Sequence, residues 1–198
     1  MIFTNEIPSH TIDLKKPEAD RWDHVIRKEK RAATQLINKM AEIDAFPEWS
    51  RPFRDAIIGK AYEWAGGLYH EELASWGEGL GISTGTMTAL NCNYEASHMM
   101  CSAAIVNTAR GPIHIRAMDW DISGLGSATR KFWFKNGSRK FLAIGVLGHV
   151  GVVSGMLPGR YSVTINWAPP TDRVDPRDYG PTFLLRDVFE TCDTYGGV

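Results

Sequence analysis

An α+β fold of layered helices and antiparallel sheet is predicted by three observations. Apolar residues recur at three and four before residue 100, two-residue alternation with glycine turns follows it, and one more helical pattern closes the chain. At 198 residues, 43% hydrophobic and 23% charged, the chain is long enough for one globular unit with a buried core.

The elements follow in order. Trp22, Val25, Ile26, Ala33, Leu36, Ile37 and Met40 form one stripe behind Pro17, a residue suited to a first helical turn. Phe53, Ile57, Ile58, Ala61, Trp64, Ala65 and Leu68 form a second behind Pro52, and both stripes read as packing faces. A short third helix is expected from Ser83 or Thr84, carrying Met87, Leu90 and Tyr94 toward Glu95.

From Cys101 the pattern becomes extended. Ala103 to Val106 run into a turn at Ala109-Arg110-Gly111-Pro112, and Ile113 to Met118 resume the alternation. With Arg110 and Gly111 as the loop, Asp119 lies opposite Ser102 and Trp120 opposite Cys101. A thiol, a carboxylate and the guanidinium of Arg116 then converge at one end of a hairpin. Arg116 and Asp119 have opposite parity, so their convergence requires a bulge near Ala117-Met118.

Phe132-Trp-Phe and Phe141 to Val146 flank an Asn136-Gly137 turn; Val150 to Ser154 and Tyr161 to Asn166 continue an antiparallel meander. Ala168 to Pro181 reads as a loop, and Thr182 to Cys192 as a helix bearing Phe183, Leu184, Val188 and Phe189.

A net charge of −1 gives no electrostatic basis for binding nucleic acid or an anionic membrane. Cys92, Cys101 and Cys192 have no paired spacing, so neither a disulfide framework nor a zinc site is indicated, and no metal or cofactor is expected. No apolar run approaches the ~20 residues of a membrane span, and the first residues lack the features of a signal peptide. The expected compartment is therefore cytoplasmic, or lysosomal or secreted if the N-terminus is incomplete. His98, His114 and His149 show no partner pattern and read as loop or packing residues.

The segment Cys-Ser-Ala-Ala-Ile-Val…Gly…His-Ile-Arg-Ala-Met-Asp-Trp resembles the nucleophile segment of the acid ceramidase and N-acylethanolamine acid amidase family, Cys-Thr-Ser-Ile-Val…Gly…His-Gly-Arg-Asn-Met/Leu-Asp-Phe/Tyr. Ile7-Pro-Ser-His-Thr-Ile-Asp-Leu…Pro17…Arg21-Trp22 resembles the start of the family's small subunit. Gly148 to Asn166 resembles its Gly-Tyr-Val-Gly…Thr-Gly…Pro-Gly…Phe-Ser-Thr-Leu-Asn run.

The resemblance implies an N-terminal nucleophile hydrolase of αββα layers, incomplete at its C-terminus. It implies autocleavage between Met100 and Cys101, so that 1–100 is a helical small-subunit-like segment and 101–198 a β-rich catalytic segment, the two staying associated. A thiol of pKa ~8.5 needs a base, and the freed α-amine of Cys101, with a pKa near ~7.7 to 8, can be one. Carried over, Arg116 stabilises the thiolate and acyl carbonyl, Asp119 holds the new ammonium, and Asn166 donates to the oxyanion. The implied substrate is a fatty-acyl amide of the ceramide or N-acylethanolamine type. Two alternatives stay open: a non-catalytic lipid-binding relative, and an amidase of a non-lipid amide of the bile-salt or penicillin V kind. Two departures bear on them: Trp167 stands where the family has an acidic residue, and no Gly-Gly-Asn segment occurs before Val198.

Overall fold

The computed structural model describes residues 6–42, 48–64, 66–92, 100–120, 122–166 and 180–197. It is an α+β arrangement. Strand β1 (Ser9–Asp13) precedes helices α1 (Asp23–Glu42), α2 (Arg51–Trp64), α3 (His70–Leu80) and α4 (Thr84–Asn91). Strands β2 (Met100–Thr108) and β3 (Gly111–Asp119) form a separate hairpin, and a single turn, α5 (Leu125–Ala128), leads into β4 (Thr129–Asn136). Strands β5 (Arg139–Val146), β6 (Ser154–Leu157) and β7 (Tyr161–Thr164) follow, then α6 (Pro181–Thr191).

The meander forms as expected. The large sheet has the order β1-β4-β5-β6-β7, with β4 to β7 antiparallel; Asn136 pairs with Arg139, so the turn falls at Gly137-Ser138, one residue later than Asn136-Gly137, with Gly137 at a φ of 61°. Strand β1 was not expected, and it pairs parallel to β4, so the sheet is mixed. Residues 150–153 are not a strand: β6 starts only at Ser154.

One face of this sheet carries Phe132, Phe134 and Phe141, which meet Trp22 just before α1 and Phe189 of α6, and Trp22 in turn meets Trp76 of α3. The α1 stripe is the buried one that the spacing predicts. Within this apolar layer Arg186 and Glu72 are fully buried, joined by two hydrogen bonds of 2.6 Å. Burial pushes the Glu72 carboxyl up, but the Arg186 charge and hydrogen bonds from Arg186, Trp22 and Arg21 outweigh it and leave the group below its ordinary value.

Helix α3 fills the gap between the second and third expected helices, beginning at the left-handed Tyr69. The second stripe is a correction. Helix α2 stops at Trp64, and Phe53 and Ile57 point outward, 71% and 69% exposed. Small residues explain this: a Cβ on Gly59 would lie 2.9 Å from the Gly85 Cα, so α2 meets α4 backbone to backbone rather than through its large side chains. The third helix starts as read, with Ser83 Oγ accepting from the Thr86 amide; Tyr94 and Glu95 lie outside the described residues.

The hairpin stacks over the open face of the large sheet, giving helix, sheet and hairpin layers in that order. No described helix is long and apolar enough to cross a membrane.

Candidate functional site

The hairpin's register differs from the expected one. Thr108 pairs with Gly111, leaving Ala109 and Arg110 as the loop, and Cys101 stands opposite Met118 and Met100 opposite Asp119. Turn chemistry is the reason. An Arg110-Gly111 loop would need positive φ at Arg110 or glycine in first place; instead Gly111 takes φ 107° just after the loop, while Ala109 and Arg110 keep negative φ. The Thr108 hydroxyl fastens the turn, donating to the Gly111 carbonyl at 2.7 Å and accepting from the Arg110 amide at 3.1 Å.

The shift is two residues, so the faces are preserved. Residues directly across a ladder share a face. Cys101 and Ala103 therefore lie on the same side as Met118, Arg116 and His114. Arg116 Nη2 donates to Cys101 Sγ at 3.2 Å and to the Ile165 carbonyl at 2.9 Å. Its Nε–H is buried with no hydrogen-bond partner. Around Val153, the side chains of Met118, Trp120 and Ile165 pack together and seat the base of the hairpin beside the end of β7.

Asp119 is the main correction among the site residues. The ladder is unbroken from Gly111 to Asp119 and the required bulge is absent, so Asp119 is exposed on the face opposite Arg116 and the thiol. Asn166 is exposed and immediately follows Ile165, whose carbonyl accepts from Arg116. Cys101 and Arg116 meet as expected, while Asp119 lies at the same end of the hairpin on the other face.

His114 is the residue that sequence reading passed over. Its Nδ1 lies 2.9 Å from Ser162 Oγ and its Nε2 3.3 Å from Thr164 Oγ1. The available signal was its position two residues before Arg116, which puts both on one strand face. His149 keeps a packing role: burial lowers its pKa to about 4, with the Arg186 charge adding to the effect. His98 and Trp167 lie outside the described residues.

Between hairpin and sheet lies a cleft of about 590 Å³. Its walls are mostly apolar, with Met118, Leu142, Ile144 and Met156 among them, and Arg116 and His114 supply polar groups from the hairpin. Cys92 and Cys192 lie elsewhere; the Cys192 thiol donates to the Gly197 carbonyl at 3.1 Å. No group of three or more His, Cys, Asp or Glu able to hold a metal occurs among the described residues.

The geometry defines an α+β protein with a half-buried thiol held by a guanidinium beside a largely apolar cleft. No family model matches the chain. Among curated proteins it is 31% identical over 155 residues to the probable acid ceramidase of Caenorhabditis elegans, covering 64% of this chain and 38% of that protein. It is 24% identical over 183 residues to the acid ceramidase of Mus musculus, covering 83% and 46%. Against the N-acylethanolamine-hydrolyzing acid amidase of Caenorhabditis elegans it is 24% identical over 208 residues, covering 95% and 58%. The chain spans about half the length of the curated relatives it matches. Across most of its length it is similar to acid ceramidases and N-acylethanolamine-hydrolyzing acid amidases.

Proposed function

We propose that the chain is a cysteine N-terminal nucleophile amidase that cuts itself between Met100 and Cys101. It then hydrolyses the linear amide bond of fatty-acyl amides, of the ceramide or N-acylethanolamine type named by its relatives. The observation that carries the reading is the 3.2 Å contact from Arg116 Nη2 to Cys101 Sγ beside an apolar cleft.

In the cutting step, Cys101 Sγ attacks the Met100 carbonyl carbon and the peptide nitrogen leaves as the α-amine of Cys101. Water then hydrolyses the thioester, freeing the thiol and leaving a carboxylate on Met100. In turnover the α-amine accepts the thiol proton as sulfur attacks the substrate carbonyl, and it returns that proton to the departing amine. Water hydrolyses the acyl-thioester to release the fatty acid. Arg116 stabilises charge on sulfur, and its unpartnered Nε–H is a further donor at the site. Asn166, one residue beyond the Ile165 carbonyl, donates to the oxyanion.

Asp119 acts on the new amine. Its face separates it from the thiol but not from the α-nitrogen, a backbone group lying in the plane of the ladder. Because Asp119 pairs with Met100, the amine of Cys101 would arise beside it. The ammonium so formed would be paired by a carboxylate from one side and face the thiol on the other.

Two ties favour continued association of the cut chains. β1 pairs with β4, and Glu72 pairs with Arg186, in each case across residue 100. Intact-mass analysis and N-terminal sequencing after incubation at mildly acid pH test the proposal. Two fragments with a new N-terminus at Cys101 are expected, with none from Cys101→Ala; cutting at that bond in Cys101→Ala would overturn it.

A further inference from the structure

The hairpin and the large sheet share no backbone hydrogen bonds. Among the described residues, three side-chain hydrogen bonds join them: Arg116 to the Ile165 carbonyl, and His114 to Ser162 and Thr164. The contacts advance together, from Ser162 and Thr164 to Ile165 as β3 proceeds from His114 to Arg116. Beside and beyond them the hairpin is largely bare, with Ile105, opposite His114, 71% exposed and Ile113 50% exposed.

Arg116 is poorly fixed by its own bonds. One nitrogen, Nη2, serves both the thiol and the Ile165 carbonyl, while Nε has no partner. A guanidinium holding two parallel bonds to one acceptor is locked in plane; one sharing a single nitrogen can swivel. Its aim at Cys101 then depends on the separation between β3 and the end of β7. His114 spans that separation two residues away on the same strand face, with both ring nitrogens against hydroxyls. Either neutral tautomer satisfies the pair, because a hydroxyl can donate or accept.

We propose that His114, clamped by Ser162 and Thr164, is a positioning residue that sets the gap between hairpin and sheet and so holds Arg116 on the Cys101 thiol. The inference rests on the reading of Cys101 as the reactive thiol. It places a functional part of the site on the sheet, remote in sequence from the nucleophile segment.

The test uses the full chain in a Cys92→Ser, Cys192→Ser background and measures the rate at which iodoacetamide labels Cys101 at fixed pH. His114→Ala should slow labelling about tenfold, the effect expected when a charge-assisted hydrogen bond to the reacting sulfur is lost. The double change Ser162→Ala, Thr164→Val should slow it similarly without touching the hairpin, which also covers a His114→Ala chain that fails to fold. His114→Gln, which keeps a donor and an acceptor, should recover much of the rate. In an Arg116→Lys background neither change should add to the loss, because the effect passes through the guanidinium. Labelling that stays at the parent rate in His114→Ala and in the Ser162, Thr164 variant overturns the proposal, as does an equal loss in the Arg116→Lys background. Failure of the parent thiol to outreact Cys92 and Cys192 in the unsubstituted chain would instead overturn the reading of Cys101.

Discussion

Glu72 on α3 and Arg186 on α6 meet as a fully buried bidentate pair, 114 positions apart in the chain. Trp22 and Arg21 complete the carboxylate's bonding, and the Arg186 guanidinium lies 3.9 Å from the centre of the Tyr69 ring. Removing one partner leaves the other charged and buried. Arg186→Met is expected to cost about 3–5 kcal/mol, read from the shift in a urea unfolding midpoint. Glu72→Leu with Arg186→Met should cost less than either change alone; a double variant as unstable as the sum of the two would refute the account.

Acid should destabilise the chain in two stages. His149 is held neutral by burial, with a pKa near 4 against an ordinary 6.5, so the unfolded chain takes up its proton first and stability falls from about pH 6.5 toward 4. Hydrogen bonds from Arg130 hold the Glu29 carboxyl near 2 despite its burial, with His10 contributing. Its contribution is complete above about pH 4.5 and is lost as pH falls toward 2. Urea unfolding across this range should show His149→Gln flattening the upper stage and Glu29→Gln the lower. Unchanged slopes would contradict the assignment.

Gly155 on β6 backs directly onto α6: an added Cβ would sit 2.5 Å from the Phe189 ring. Gly155→Ala should therefore destabilise by about 1–3 kcal/mol, by thermal or chemical unfolding. A neutral result would mean that the ring has room to withdraw.

The outward residues of α2 give the opposite case. Phe53→Ser and Ile57→Ser should each cost no more than about 1 kcal/mol, because most of each side chain stays in solvent on folding. A loss of several kcal/mol would show that this stripe is covered in solution.

Asp119 and Arg116 can be separated in the uncut chain. Arg116→Lys should slow alkylation of Cys101, since a planar fork becomes a point charge. Asp119→Asn should leave that rate unchanged, since the carboxylate lies on the other face. Equal slowing in both would place Asp119 beside the thiol after all.

Much of this was legible in the sequence, where local pattern and tertiary packing agree. The α1 stripe, the Ser83 cap, a turn at Gly137 and the β2-β3 hairpin all form. The hairpin's register did not follow, because it depends on which residue takes positive φ, and Gly111 could serve inside the loop or just after it. Helix α3 was hidden twice: Tyr69 at its start makes no side-chain cap, and Glu72 puts a charge on the buried face. The α2 stripe misled because helix contact through Gly59 and Gly85 needs no large apolar side chain. In the candidate site, the nearness of Cys101 and Arg116 was readable from alternation. The His114 clamp was not, because Ser162 and Thr164 lie on a distant strand and hydroxyl partners carry no spacing signature.

If the chain cuts itself at residue 100, as proposed, the parallel alignment of β1 with β4 has a kinetic corollary. Before the cut, this strand finds its place within one molecule, at the effective concentration set by its own tether. Afterwards the same pairing joins two polypeptides, and any excursion that separates them must be reversed by an encounter in solution, at a rate that depends on dilution. Folding would then have a proper order. Assembly would precede scission, the cut pair would persist through slow separation, and a preparation once denatured would regain its structure less readily than the uncut precursor.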